Sequence, residues 1–160
     1  MQEKMILMPQ ADSTELVRSL AARGQCFAGL RIMNSADLAR LALTYSGIAL
    51  EGRLIGTSEQ TAIVSDIMKR TAYFQPAAYA DAMLLSAALD ELRLAADDSV
   101  LKEKLLAEDT LFPEKNKALL EVLKEYSAFL ADSGLTDRAA VIRQAADRSL
   151  PLDAARYSLA

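Results

Sequence analysis

The chain of 160 residues contains no histidine and no tryptophan, and it has one cysteine. Without histidine there is no Ser-His-Asp triad, no Cys-His dyad and no imidazole metal site. The single Cys26 excludes an intramolecular disulfide and a thiolate zinc cluster. Its neighbours are Gln25 and Phe27, and no base stands beside it, so it reads as a buried structural thiol. Six glycines and four prolines are too few for a fibrous or loop-dominated chain. No apolar run approaches the roughly 20 residues that span a bilayer. The stretch Met5-Ile6-Leu7-Met8 is also too short for a secretory core, so the expected setting is cytoplasmic, with no membrane partner. A basic excess is missing as well. Eighteen basic residues face 22 acidic ones, for a net charge of −4, and strong autonomous affinity for nucleic acid is not expected.

What remains is apolar and helical. Hydrophobic residues make up 52% of the chain and charged residues 25%, enough for a core. The start reads as α/β. Met5 to Met8, ended by Pro9, is a short buried strand. Asp12 and Glu15 have capping-box spacing ahead of a helix with Leu16, Val17 and Leu20 inward, and Gly24 stops it. Leu30 to Met33 is a second strand. Asn34 and Ser35 can cap a helix carrying Leu38, Leu41, Ala42 and Tyr45, and Gly47 ends that helix. This order favours two parallel strands with a helical crossover. Two strands make no stable sheet alone, so either helices cover them or the sheet is completed elsewhere.

Beyond residue 48 every pattern is helical. Thr57 and Gln60 form a capping-box pair before Ile63, Val64, Ile67 and Met68, and Pro76 breaks this helix after Tyr73-Phe74. A long helix is expected from Ala77 to about Ala96, with Tyr79, Met83, Leu85, Leu89 and Leu92 inward. Asp97-Asp98-Ser99 starts another helix, with Val100, Leu101 and Leu105. Pro113 suits a first helical position before Leu119, Val122, Leu123, Tyr126 and Leu130. Thr136 is expected to cap a last helix with Ala140, Val141 and Ala145, closed by Pro151. The expected architecture is therefore mostly α: a strand–helix–strand–helix portion over 1–48, then a helical bundle over 49–160.

Motifs for chemistry are missing. No glycine stands in a G-x-x-x-x-G-K-[ST] phosphate loop or in G-x-G-x-x-G. None of the 22 acidic residues has Lys two positions later, as a PD-(D/E)-x-K nuclease core requires. Glu121 and Glu125 beside Lys117 and Lys124 read as a solvated helix face. No cofactor or metal is expected, and no residue is assigned a catalytic role. Tyr73-Phe74 has two readings, a platform for stacking bases or a hydrophobic plug between helices, and Phe112-Pro113 has the same two.

The two strand–helix junctions carry a resemblance. Met5-Ile6-Leu7-Met8-Pro9-Gln10 looks like the apolar strand, proline and polar segment after the first helix of a superfamily 1 helicase lobe. Leu30-Arg31-Ile32-Met33-Asn34-Ser35-Ala36-Asp37-Leu38-Ala39 looks like the next strand and its T-F-x-x-L-A turn, with Met33-Asn34 in place of Thr-Phe. The helical stretch that follows resembles the subdomain such lobes often insert. From about Lys4 to Ala145 the order resembles the N-terminal, helicase-like region of AddB-type subunits of bacterial ATP-dependent helicase–nuclease complexes. In that family the region often serves recognition rather than translocation, a phosphate loop precedes the matched segment, and the nuclease lies far downstream. The resemblance implies a non-catalytic domain that supports DNA binding or docks a partner subunit. By position it assigns contacts with single-stranded DNA to Gln10, Asn34 and Ser35, whose residue types also suit plain turn and cap chemistry. The alternative is a free-standing helical protein-interaction module, and its apolar helix faces are compatible with homo-oligomers.

Overall fold

The computed structural model describes residues 3–7, 14–24, 30–95, 98–107, 110–148, 150 and 157–159. The protein is mostly helical with a short parallel α/β start, as expected. It divides into two units. Unit 1 comprises Met1–Ala49 and Gln144–Ala160, and unit 2 comprises Leu50–Arg143.

In unit 1, β1 (Glu3–Leu7) and β2 (Leu30–Met33) pair in parallel, with Ile6 opposite Ile32, and α1 (Thr14–Ala22) connects them. Leu16 and Leu20 of α1 are half-buried, but Val17, expected inward, is exposed. In α2 (Ser35–Tyr45) the buried residues are Ala39, Ala42 and Leu43. Tyr45, in the last turn of the helix at the edge of that stripe, is exposed. The helix closes in a Schellman arrangement. Ile48 N–H donates to Leu43 O at 2.9 Å and Gly47 N–H to Thr44 O at 3.1 Å, with Gly47 at φ +69°. A third strand, which the sequence patterns do not predict, joins this sheet. β3 (Tyr157–Leu159) runs parallel to the free side of β1, giving the spatial order β2-β1-β3. Three residues carry no periodicity, which is why the strand was not foreseen. Gln144 returns to the same unit and donates its side-chain amide to Ala49 O at 3.0 Å.

Unit 2 is built on α3 (Thr57–Met68), α4 (Tyr79–Ala95), α5 (Asp98–Leu105) and α6 (Pro113–Asp132). Two-residue strands, β4 (Arg53–Leu54) and β5 (Leu135–Thr136), pair in parallel at its edge. Helix α7 (Arg138–Asp147) begins in unit 2 and ends in unit 1. The core is one cluster. Val64, Ile67 and Met68 of α3 meet Ala82 and Leu89 of α4, Leu101 of α5, and Val122, Leu123, Tyr126 and Leu130 of α6. Each fully buried aliphatic side chain contributes roughly 1.5–3 kcal/mol of transfer free energy.

Several local expectations change. Gly56, not Thr57, is the N-cap of α3, and it makes no side-chain cap bond. Gln60 therefore makes no capping box. It lies 5% exposed and reaches α4 instead. On α4 the inward residues are Ala82, Leu85, Ser86, Leu89 and Leu92, whereas Tyr79 and Met83 face outward at 54% and 56% exposure. The helix rotates because its small residues, Ala82 and Ser86, allow close approach of α3. The cap of α7 is Asp137 rather than Thr136, since Thr136 is held in the β5 ladder and Asp137 Oδ1 accepts Ala140 N–H at 2.8 Å. Pro113 is the first residue of α6, as expected.

Candidate functional site

Asn34 follows β2 directly and turns the chain into α2. Its side-chain oxygen accepts Asp37 N–H at 2.9 Å, so the side chain is an N-cap. Ser35 is the exposed first residue of the helix, and Asp37, within the first turn, pairs with Arg40 at 3.5 Å. The turn thus brings Asn34 and Ser35 together beside an acidic residue, and Asn34 Oδ1 is already engaged. Gln10, the third residue assigned to DNA, lies outside the described residues, as do Asp12 and Cys26.

Tyr73 and Phe74 occupy a 3-10 turn (Ala72–Phe74) with their rings edge to face, 5.2 Å apart at 83°. The pair divides its roles. Phe74 packs against the unit 2 core as a plug, and Tyr73 is half exposed. Gln75 donates its amide to Met68 O at 3.2 Å and also to Lys69 O, which ties the turn to the end of α3. The Gln75–Pro76 peptide is cis. Phe112, at the start of α6, is exposed, and Lys115 Nζ stands 6.0 Å from the centre of its ring.

The most elaborate polar arrangement was not foreseen from the sequence. Asp137 is completely buried. Tyr126 OH donates to its Oδ2 at 3.0 Å, and Arg93 Nη1 lies 3.4 Å from the same oxygen. The Arg93 guanidinium also covers the Tyr126 ring at 5.4 Å and approaches Ser127 Oγ at 3.4 Å. One turn earlier on α4, Asp90 Oδ1 accepts the Gln60 amide at 2.8 Å, and the same amide nitrogen lies 3.4 Å from Ser86 O. Burial raises the Asp90 carboxyl above the ordinary carboxylate value; the Gln60 hydrogen bond opposes this and the Asp137 charge adds to it. Burial, then Asp137, also pushes the Tyr126 hydroxyl well above its usual value, so it stays protonated and donates. Asp90 and Arg93 share the inward phase of Ser86 and Leu89, and polar residues on an apolar helix stripe were the available signal.

This network is architectural. It joins α3, α4, α6 and the β5–α7 turn, and among the described residues no buried side-chain nitrogen or oxygen lacks a partner. It presents no activated nucleophile. Among the described residues no cluster of three or more His, Cys, Asp or Glu could hold a metal, and no helix is long and apolar enough to cross a membrane.

The outer face of α4 has a different character. Leu84 is 75% exposed, and Tyr79, Ala80, Met83 and Ala87 are exposed around it over the first three turns. The first turns of α4 thus carry apolar side chains on the exposed side as well as the buried one. No protein-family model matches the chain, and no curated protein matches it.

Proposed function

We propose that this chain is a non-catalytic, helicase-like lobe of an AddB-type subunit in a DNA-repair helicase–nuclease, and that its helical unit docks a partner subunit. The carrying observation is the order of the chain. Unit 1 is discontinuous: the polypeptide leaves it after Ala49, builds the whole of unit 2, and returns at Gln144 to add a further parallel strand beside β1. A helical unit inserted into a parallel α/β lobe is the organisation that the two junction segments resemble. An insertion of this kind leaves the helical unit its own apolar core, which lies wholly between Ile55 and Leu135.

Docking is favoured over direct DNA contact. The net charge is −4, Asn34 Oδ1 is committed to its cap, and α4 exposes an apolar face. The second reading, a free-standing helical interaction module, draws on that same face. An antiserum against the chain separates the two by immunoblot of a lysate of the source cells. The lobe reading expects a polypeptide several times larger than 17.4 kDa; a band at 17.4 kDa contradicts it and selects the module.

A further inference from the structure

We infer that the cleft between α5 and α6 is a docking groove for an acidic amphipathic helix of a partner chain; this deepens the docking reading above and rests on it. The cleft has a volume of about 480 Å³. Leu106, Leu120 and Leu123 form its apolar floor, and Lys102, Lys117 and Lys124 surround it. All three lysines are exposed, and among the described residues none of them is in an ion pair. A locally basic rim on a protein of net charge −4 is a concentration of charge that neither fold nor core requires.

The lining specifies its occupant. Apolar anchors are needed for the leucine floor and acidic groups for the rim. Lys117 and Lys124 stand seven residues apart on α6, about 10 Å along the axis at 1.5 Å per residue. Acidic residues two turns apart on a helix lying along the groove reach both, with leucine-like side chains between them. Glu121 lies between the two lysines and disfavours an acid at the middle of the occupant. The same carboxylate, together with the apolar floor, disfavours a phosphate backbone, so nucleic acid is the weaker fit.

The test uses the full-length protein in source cells. A photo-crosslinking residue, p-benzoylphenylalanine, replaces Leu106, and the crosslinked peptide is sequenced. The expected product is a peptide of another chain in which acidic residues flank apolar ones. A peptide without acids, a second copy of this chain, a nucleic-acid adduct or no adduct overturns the proposal. In parallel, Lys117→Glu combined with Lys124→Glu is expected to reduce recovery of the partner subunit roughly tenfold, with an unchanged thermal midpoint, and Lys117→Arg with Lys124→Arg to retain it. If the partner is recovered equally with the Glu variant, the groove is wrong and the docking reading stands. If the wild-type protein recovers no partner, the docking reading itself falls, and the groove with it.

Discussion

Asp137 uses both carboxylate oxygens: Oδ1 caps α7, and Oδ2 receives Tyr126 while facing Arg93. Asp137→Ala removes the cap, orphans a buried hydroxyl and leaves Arg93, whose side chain is 15% exposed, without its ion partner. The expected loss is roughly 3 kcal/mol, since breaking one side of a buried pair leaves an uncompensated charge. Urea unfolding reads it directly, and a loss below about 1 kcal/mol would assign the network a minor role. Asp90 makes a separate prediction in pH. Its carboxyl is raised in the folded state by burial. Below the ordinary carboxylate value both states are protonated and Asp90 exerts no pull. As pH rises from there through the folded value, the unfolded chain ionises first, so stability falls over that window and then levels. Asp90→Asn removes this component while keeping an acceptor for Gln60. Thermal midpoints followed from pH 4 upward should decline more steeply in the wild type than in the variant; parallel curves would contradict the assignment. The sequence places Tyr126 on a buried helix face but does not announce the network, because a lone Asp, Arg or Tyr on a helix stripe does not reveal which partners tertiary packing will bring to it.

The elements themselves were far more legible. The apolar spacing of Val64, Ile67 and Met68, and of Val122, Leu123, Tyr126 and Leu130, matches the buried faces of α3 and α6, because long periodic segments carry their packing in the sequence. Helix α4 was harder. Apolar residues surround it, so periodicity could not choose between the Tyr79–Met83 side and the Ala82–Ser86 side, and close packing of small residues decided. The short strands were invisible for the opposite reason, being only two or three residues long. Their pairing depends on backbone geometry. Gly52 has φ +104°, and a Cβ placed there would lie 2.8 Å from Gly134 O, beside the Arg53 N–H to Gly134 O bond that opens the β4–β5 pair. Gly134 has φ +61°, but a Cβ there meets nothing within 4 Å. Gly52→Ala should therefore cost roughly 2 kcal/mol or more, from backbone conformation plus a steric clash. Gly134→Ala should cost only about 1 kcal/mol, from conformation alone. Differential scanning calorimetry of the two variants tests the ranking, and equal losses would show that the close approach does not constrain the pair.

At the scale of the whole molecule, the α/β start and the helical remainder were both readable. The return of the chain was not, since nothing in the local pattern of residues 144–160 announces a strand beside β1. That return makes unit 2 an insertion and gives the helicase-like reading its support. It also gives the docking account its physical form, with a self-contained helical core displaying the apolar face of α4 and the lysine-rimmed cleft of α5 and α6. The candidate site was only partly foreseen. The sequence marks Tyr73-Phe74 as a pair, but which ring faces outward is a packing outcome, and the pattern of α4 puts Tyr79 and Met83 on the buried side where the structure exposes them. The most direct measurement is native mass spectrometry of the endogenous protein, purified intact from source cells through a tag at its chromosomal locus. A docking lobe of a helicase–nuclease predicts a stable assembly with a second, different subunit. A protein that emerges alone, or only as copies of itself, would contradict that assignment.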